Sequence, residues 1–463
     1  MAGAVGGDAA RRRAEDRPAT ADLHRPRAPR VRGDGVAPLS AAPGNGRERV
    51  LLLLPTSTYK AADFLAAAAR LGVTVVVGSE RRQALEEVAP GGTLTLPLGD
   101  PEAAARAIVA AGGDRPFAAV VPTDDLTAEM AARALELLGL PHNPPEAARA
   151  ARRKDLMRAR LAAAGLRAPQ YRLLPVRPSP GDAALAAWAE GVTYPVVVKP
   201  TFLAASRGVI RADYPAQLIA AVRRVEAILE RPDAIERGDV EARASLLVEE
   251  YVAGDEVALE GILRRGALNV LALFDKPDPL VGPFFEETIY LTPSRRPPVQ
   301  QAAIASAAAA AAAALGLVEG PVHAELRLDA RGPVVLEIAA RSIGGLCARA
   351  LKFGAGLSLE EVILAHALGR EEIFAEREER AAGVMMLPIP RAGILSEVRG
   401  AAAARAVPGI EDLVLSAAVG QPVEPLPEGH AYLGFLFARG DKPHEVEAAL
   451  RDAHRRLEIV IGL

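Results

Sequence analysis

The chain has 463 residues, of which half are apolar, and it carries a formal net charge of −3 with an isoelectric point near 6.3. This length is more than one hydrophobic core supports, so we expect about three domains, and the slightly acidic balance argues against a nucleic-acid partner, which needs basic surface to displace counterions. The single cysteine, Cys347, excludes an internal disulfide and favours a reducing, cytoplasmic location.

Residues 1–47 differ in composition from the rest of the chain. They are rich in Arg, Gly, Pro and Ala and show neither helical nor strand periodicity, which is typical of a disordered tail. The cluster Arg11–Arg13 is also compatible with a targeting peptide, but interspersed acids such as Glu15, Asp16 and Asp22 favour a solvated tail. We therefore expect the folded part to begin near residue 48.

Buried strands and amphipathic helices alternate over residues 48–145. Apolar runs ended by Pro or Gly predict the strands, and the segments between them have helical spacing. Such alternation is typical of a parallel sheet covered by helices, so we expect a Rossmann-like domain. The predicted elements are, in order, Val50–Leu54, Ala62–Leu71, Val73–Val77, Leu94–Leu96, Pro101–Ala111 and Ala118–Val121.

Two loops of this domain bear on ligand binding. The loop after the first strand, Pro55–Thr58, lacks the G-x-G-x-x-G pattern that lets a backbone approach a pyrophosphate, so we expect no dinucleotide here. Asp124 and Asp125 follow a predicted strand at the edge where open α/β sheets bind ligands. Their pattern fits a substrate contact and a helix N-cap equally well.

A strand of β-branched residues over Tyr194–Pro200 ends with Lys199 next to its last position. An ammonium at the edge of a buried sheet is costly unless it meets an anion, so phosphate binding is a hypothesis for Lys199, with a solvated strand end as the alternative. The small-residue turn that follows contains Ser206, Arg207 and Gly208, whose backbone N–H groups are candidates for phosphate contacts. It lacks the lysine and threonine of a P-loop.

The apolar strand Leu246–Val252 turns acidic towards its end. Glu249 and Glu250 are placed to accept hydrogen bonds from an adenine amino group or ribose hydroxyls, and the backbone of Tyr251 and Val252 lies beside them to contact the base edge. The same pattern also fits a capped strand end without a ligand.

The segment Ala302–Val318 is the most apolar stretch of the chain. It is mostly alanine and is interrupted by Ser306 and Gly316, which favours a packed helix over a bilayer span. We therefore predict no membrane segment.

The segment His323–Arg341 predicts a β-hairpin that carries two acids. Its residues alternate between polar and apolar on both sides of a turn at Asp329–Gly332. With the turn centred on residue 331, residues whose numbers sum to about 662 lie opposite each other, so Glu325 faces Glu337. Two carboxylates roughly 5 Å apart repel each other, and a cation such as Mg²⁺, which also binds phosphate oxygens and waters, would remove the repulsion.

The alternative interpretation is a solvated hairpin face without a metal. In it, Glu325 and Glu337 pair with Arg327 and Arg341. The opposite face is apolar and packs in the core. If the strand continues, its period of two also places Arg341 on the side of Glu337, beside the expected metal site. The apolar face consists of Leu326, Leu328, Leu336 and Ile338.

The order of these motifs resembles the ATP-grasp superfamily, in particular its carboxylate–amine ligases of the L-amino-acid ligase type, over residues 49–463. The resemblance implies an ATP-grasp fold of mixed α/β and α+β type. Its parts would be a Rossmann-like N-terminal domain at 48–145, a nucleotide domain with a central antiparallel sheet at 146–375, a lid within it at about 168–247, and a C-terminal α/β subdomain at 381–463. The implied reaction consumes ATP, forms an acyl phosphate, and joins it to an amine with release of ADP and phosphate.

The resemblance also implies which residues bind the nucleotide. Lys154 and Lys199 would contact its phosphates, Glu249–Val252 would form the adenine hinge, and Glu256 would hold the ribose. Ser206, Arg207 and Gly208 would belong to the loop over the phosphates.

The metal and catalytic residues follow from the same resemblance. Glu325 and Glu337 would bind Mg²⁺, with Mn²⁺ as an alternative ion. Arg341 would contact the activated carboxylate or the transferred phosphate, and Lys199 would share in neutralising its charge. Many relatives have Asn where this chain has Ala339, so one Mg²⁺ is expected and a second ion is left open.

The sequence specifies substrate recognition less closely. Gly344 and Gly345 would allow close backbone approach, and Glu286 or Glu287 is a candidate for a substrate ammonium, with a surface loop as the alternative. His323 is a candidate base, although a core-edge histidine is the favoured interpretation. The C-terminal subdomain carries no chemical motif and is expected to close the nucleotide domain or to form a homodimer contact.

Two other function classes compete with the ligase. A biotin-carboxylase-like enzyme would activate bicarbonate, but the chain contains no Met-Lys biotin acceptor motif. A non-catalytic ATP-binding module would not require both hairpin acids and Arg341. We therefore expect the substrates to be a small carboxylate and an amine, most simply amino acids.

Overall fold

In the computed structural model, which describes residues 48–56, 58–82, 91–354, 356–370 and 376–462, the strands form four sheets. The tail predicted over residues 1–47 lies outside the described residues. One is the N-terminal sheet. Two belong to the parts that were predicted to be the nucleotide domain and its lid, and the fourth is small and C-terminal.

Residues 49–138 form a parallel α/β layer. Its elements are β1 (Arg49–Leu53), α1 (Ala61–Leu71), β2 (Thr74–Ser79), β3 (Thr93–Thr95), α2 (Pro101–Gly112), β4 (Ala119–Pro122) and α3 (Asp125–Leu138). The strand order is β3-β2-β1-β4, and neighbouring strands are parallel, which was the predicted arrangement. Helices cover both faces of β1, so Leu52 packs in the core with Phe64 of α1, whereas Leu53 packs with Ile108 of α2.

The lid is a four-stranded antiparallel sheet in the order β5-β8-β6-β7 with helices packed on one side. Two helices lead into it, and its core includes Val198, Val222 and Leu246. The elements are α4 (Pro145–Arg152), α5 (Lys154–Ala163), β5 (Tyr171–Pro175), α6 (Asp182–Glu190), β6 (Val196–Pro200), β7 (Ile210–Ala212), α7 (Pro215–Leu229), α8 (Pro232–Arg237) and β8 (Ser245–Glu250).

The rest of the chain builds an eight-stranded antiparallel sheet and a three-stranded one. The elements are β9 (Asp255–Arg264), β10 (Ala267–Asp275), β11 (Ile289–Thr292), α9 (Pro298–Leu315), β12 (Gly320–Asp329), β13 (Gly332–Ala339), α10 (Leu359–Ala367), β14 (Ala381–Leu387), β15 (Gly393–Arg399), α11 (Ala401–Arg405), β16 (Ile410–Leu415), β17 (Pro422–Val423), β18 (Gly434–Gly440), α12 (Pro443–Arg455) and β19 (Glu458–Gly462). The large sheet has the order β13-β12-β9-β10-β11-β14-β18-β16, and β17-β15-β19 form the small one. The C-terminal strands β14, β16 and β18 therefore continue the central sheet.

Helix α9 is the alanine-rich segment, and it is long and apolar enough to cross a membrane by length and composition. One side of it, with Ile304, Ala308, Ala311 and Leu315, packs in the same core as Leu161 of α5 and the β12–β13 hairpin. This agrees with the prediction of a packed helix.

Candidate active site

The N-terminal layer, the lid and the central sheet meet around a cavity of about 450 Å³. Most residues that the sequence singled out lie on its wall, although they come from distant parts of the chain. Arg207, Gly208 and Glu286 are not on the wall. The predicted residues on the wall are Lys154, Lys199, Ser206, Glu249, Glu250, Tyr251, Val252, Glu256, Glu287, His323, Glu325, Glu337, Arg341, Gly344 and Gly345.

The β12–β13 hairpin places Glu325 directly opposite Glu337, as predicted. This pairing depends on a β-bulge that the prediction did not include. Asp329 is opposite Gly332, so the turn is centred between Ala330 and Arg331, and this turn alone would place Glu325 opposite Leu336. A β-bulge at Leu336 inserts one extra residue and brings Glu337 into position. The prediction that Leu336 belongs to the apolar core face is wrong, because the bulge turns it to the cavity wall.

Neither of the two arginines considered for the hairpin acids pairs with them. The Arg327 guanidinium donates to Glu256 at 2.9 Å, and the Arg341 guanidinium donates to Asp125, also at 2.9 Å. Burial favours a neutral Asp125, but Arg341 outweighs it and lowers the pKa of that carboxyl. The ion pair with Asp125 fixes Arg341 at the junction between the N-terminal layer and the hairpin.

The two hairpin acids have longer contacts and face the cavity. The Glu337 carboxylate lies 3.2 Å from the Lys154 ammonium, and the Glu325 carboxylate lies 3.4 Å from His323 Nε2 and 3.5 Å from Lys276 Nζ. Burial opposes ionisation of Glu325, but Lys276 and His323 hold its pKa well below the usual range. Both side chains remain 24% exposed, so two carboxyl groups are open to the cavity, which fits the oxygen donors that Mg²⁺ takes.

Lys276, which sequence reasoning missed, lies among three acids of the wall. Carboxylate oxygens of Glu256, Glu287 and Glu325 are within 4.8 Å of one another, and the Lys276 ammonium contacts all three, at 2.7 Å for Glu256. Burial and the neighbouring carboxylates raise the pKa of Glu287 to about 7, although Lys276 opposes the shift. Lys276 directly follows the buried strand β10. A lysine at the end of a buried strand is the same signal that identified Lys199.

The nucleotide-binding candidates of the lid are engaged with one another. The Lys199 ammonium forms an ion pair with Glu249, and the guanidinium of Arg158 donates to the same carboxylate at 2.9 Å. Burial lowers the pKa of Lys199, whereas Glu249 opposes this shift. The Glu249 side chain is thus held inside the protein, whereas the exposed Glu250 carboxylate accepts a hydrogen bond from the Gln170 N–H at 3.1 Å.

The residues of the loop after β6 that were predicted to contact phosphate do not all lie on the cavity wall. Ala205 and Ser206 adopt left-handed backbone conformations, with φ of 55° and 54°, and line the cavity. Arg207 instead forms an ion pair with Asp233, and the Gly208 N–H donates to the Pro427 carbonyl at 2.9 Å. Of the three predicted residues, Ser206 alone lies on the cavity wall.

Three further residues of the cavity wall bear on predictions made from the sequence. The Asp124 carboxylate accepts from the Thr127 N–H at 3.1 Å, so it caps α3 while it lines the cavity. His323 contacts Glu260 through Nδ1 at 3.2 Å as well as Glu325 through Nε2, which suits an orienting role. A Cβ on Gly345 would lie 2.8 Å from the Phe435 ring, so this position requires glycine.

Three family models match successive parts of the chain. An ATP-grasp N-terminal domain matches residues 65–142, an ATP-grasp domain matches residues 192–350, and an L-amino acid ligase C-terminal domain 2 matches residues 385–462. The chain belongs to the ATP-grasp superfamily. The resemblance to this superfamily, which the sequence motifs indicated, is thereby confirmed.

Curated relatives of this ATP-grasp chain include two named enzymes. The chain is 28% identical to alanine–anticapsin ligase of Bacillus subtilis (strain 168) over 259 residues, which is 53% of each protein. It is 32% identical to carnosine synthase 1 of Gallus gallus over 308 residues, 63% of this chain and 32% of that protein. The chain thus spans about half the length of the first of these relatives and a third of the second.

Among solved structures, an L-amino acid ligase from Bacillus licheniformis superposes on this ATP-grasp chain with a TM-score of 0.72 and 25% identity, covering 90% of this chain and all of that one. The biotin carboxylase domain of a 2-oxoglutarate carboxylase from Hydrogenobacter thermophilus superposes with a TM-score of 0.62 over 89% of this chain, but its 16% identity shows the fold alone. The predicted fold is confirmed. Enzymes of this fold use ATP with Mg²⁺ or Mn²⁺ in general.

Proposed function

We propose that the chain is an ATP-dependent ligase that joins a carboxylate to an amine through an acyl phosphate, with amino acids as substrates, in the cytoplasm. The observation that carries this proposal is the register pairing of Glu325 with Glu337 on the wall of a cavity that also holds Lys154, Lys199 and Arg341. The match to an L-amino acid ligase domain and the names of the relatives support the same reaction class.

The first step places charge where the buried cations lie. A substrate carboxylate oxygen attacks the γ-phosphorus of ATP, and the bond from that phosphorus to the ADP oxygen breaks. Lys154 and Lys199 are buried, so their charges act on phosphate oxygens in a medium of low dielectric constant. A Mg²⁺ ion held by Glu325 and Glu337 would supply further positive charge to the phosphate oxygens. Arg341, fixed by Asp125, would contact the activated carboxylate.

In the second step the amine nitrogen attacks the carbonyl carbon of the acyl phosphate. The carbon–oxygen bond to phosphate breaks, the nitrogen loses a proton to give the amide, and inorganic phosphate leaves with that proton. Glu287, whose carboxylate lies on the wall beside Lys276, is our candidate for binding a substrate ammonium. His323 contacts Glu260 and Glu325 with its two ring nitrogens, so we assign it to orienting Glu325 rather than to proton transfer.

A coupled assay for ADP and phosphate release tests the proposed function. The enzyme is given ATP and Mg²⁺ with the standard amino acids singly and in pairs, and with bicarbonate in a separate arm. ATP turnover that requires two amino acids supports the ligase, and mass spectrometry then identifies the dipeptide. Turnover that depends on bicarbonate alone, or no turnover across the whole panel, rejects it.

A further inference from the structure

Lys60, the residue that precedes the first turn of α1, is a buried cation on the cavity wall that the reaction described above does not use. It is 5% exposed. Its ammonium donates to the Thr123 carbonyl at 3.1 Å, to the Ser342 carbonyl at 3.2 Å and to the Ser342 hydroxyl at 3.1 Å. All three acceptors are neutral, so the charge of Lys60 is hydrogen-bonded but not balanced by a contacting anion.

The other buried cations of the wall are each paired with an acid. Within the part of the chain that the structure describes, no carboxylate lies within 4.0 Å of the Lys60 ammonium. The charged groups that act on it from further away are Arg341, which is repulsive, and Asp124, Glu260 and Glu360, which are attractive. Burial lowers the pKa of Lys60 to about 8, and Arg341 acts in the same direction. The paired cations are Lys154 with Glu337, Lys199 with Glu249, Arg327 with Glu256, and Arg341 with Asp125.

A buried charge without a counter-ion is costly, and it is retained where an anion binds. Ser342 directly follows Arg341, so Lys60 lies beside the residue that we assign to the activated carboxylate. The lysines assigned to the nucleotide come instead from α5 and β6, and each already has an acid for a partner. Lys60 is therefore available for an anion other than the nucleotide phosphates.

We propose that Lys60 binds the carboxylate of the amino acid that serves as the amine substrate, and so selects it over a simple amine. This inference rests on the proposed ligase function. The Thr123 and Ser342 carbonyls hold the ammonium in place. The third partner of the ammonium, the Ser342 hydroxyl, can be replaced by one oxygen of the substrate carboxylate. Because a hydroxyl is a donor as well as an acceptor, it can then donate to the second carboxylate oxygen.

The test measures binding, so that it does not depend on turnover. The enzyme is loaded with Mg²⁺ and a non-hydrolysable ATP analogue, and its melting temperature is followed with the standard amino acids and with their carboxamides. The variants are Lys60→Gln, which keeps N–H donors for the two carbonyls but has no charge, and Lys60→Met, which has neither. Lys442→Met is the matched control, since Lys442 is an exposed lysine outside the cavity wall.

We expect at least one amino acid to bind wild type and the Lys442→Met control about tenfold more tightly than its carboxamide does, and to lose this preference in Lys60→Gln and Lys60→Met. A carboxylate donor bound at Arg341 would lose affinity on amidation in every variant alike. The proposal is overturned if no amino acid shows a preference that depends on Lys60, or if Lys60→Gln keeps the wild-type preference, since the lysine would then only tie two segments together.

Failure of the ligase proposal gives a different result. An absence of ADP release over the whole panel of amino acids rejects the ligase reaction, whatever the binding data show. ADP release with two amino acids, combined with an acceptor preference that Lys60→Gln leaves intact, rejects the role of Lys60 alone.

Discussion

Lysine side chains of the cavity lie next to acids. A bound substrate would displace these acids or bridge them to the lysines. Lys154 contacts Glu337 and Lys199 contacts Glu249, so the two lysines that we propose to bind phosphate are paired with acids within the protein. This arrangement lowers the cost of burying them, because an unpaired ammonium in the interior is strongly destabilising. Glu337, a proposed Mg²⁺ ligand, lies next to Lys154, a proposed phosphate ligand, so the two proposed sites are in direct contact.

Glu337→Gln tests the proposed metal-binding role of this carboxylate. The amide keeps the shape of the side chain but removes the charge that would hold Mg²⁺ and that faces Lys154. We expect kcat for ADP release to fall by about 100-fold and the Mg²⁺ concentration for half-maximal activity to rise. Glu136→Gln, at an exposed position of α3, should leave both values unchanged. A Glu337→Gln enzyme with full turnover would remove this residue from the metal site.

The pH dependence of acceptor binding follows from Lys60. The pKa of this lysine is lowered to about 8, so its ammonium is charged below that pH and loses its charge as the pH rises through it. The KM for an amino-acid acceptor should therefore rise above about pH 8, whereas the KM for the matching carboxamide should not rise through loss of this charge. Each KM value is calculated from the free-base concentration of the amine. Titration of the acceptor amine then does not affect the ratio of the two KM values. A flat ratio between pH 7 and pH 9 contradicts the assignment.

At the scale of secondary-structure elements, the lid is fastened to a segment near the C-terminus, the latch loop, which comprises residues 424–432. Arg231 of the lid forms an ion pair with Glu424 at 2.7 Å, and Arg224 forms another with Glu428. The Gly208 N–H donates to the Pro427 carbonyl of the same loop. The loop after β6 is thus joined to the latch loop as well.

Loss of the latch loop's two acids should loosen the lid. Partly exposed ion pairs contribute at most about 1 kcal/mol each, so the double variant Glu424→Gln, Glu428→Gln should raise the KM for ATP by about three- to tenfold. High salt should raise the wild-type KM towards that of the variant, because screening weakens the same pairs. The exposed acid Glu397 of β15, changed to Gln, serves as the control. Equal salt dependence in the wild type and the double variant would exclude the latch.

Local patterns predicted the elements well, whereas long-range contacts were outside their reach. The hairpin could be predicted from sequence because its turn and both strands are close in the chain, whereas the exact pairing of Glu325 with Glu337 depends on a bulge at Leu336 that the local pattern does not indicate. Lys276 could have been found by the rule that found Lys199. The pairing of Arg341 with Asp125 spans 216 residues and depends on how two sheets pack, which no local pattern encodes.

For the molecule as a whole, the large antiparallel sheet joins parts of the chain that the sequence suggested were separate. Strands β14, β18 and β16 extend the sheet that holds the hairpin acids, and Phe435 of β18 packs in one core with Phe64 of α1. Phe435 also contacts Tyr59, with ring centroids 5.6 Å apart, and lies against Gly345 on the cavity wall. The C-terminal strands therefore support the N-terminal layer and the site.

Phe435→Ala tests this coupling. Phe435 is fully buried, so truncation should lower the free energy of unfolding by about 3 to 5 kcal/mol, the usual cost of removing a buried aromatic ring. Because its neighbours Tyr59 and Gly345 line the cavity, the variant should also weaken substrate binding at temperatures where it remains folded. Urea unfolding followed by circular dichroism measures the first effect, and calorimetric titration measures the second. Leu137→Ala, at an exposed leucine of α3, is the control and should change neither. If the C-terminal strands formed an independent subdomain, Phe435→Ala would unfold that part in a separate transition and leave unfolding of the rest unchanged.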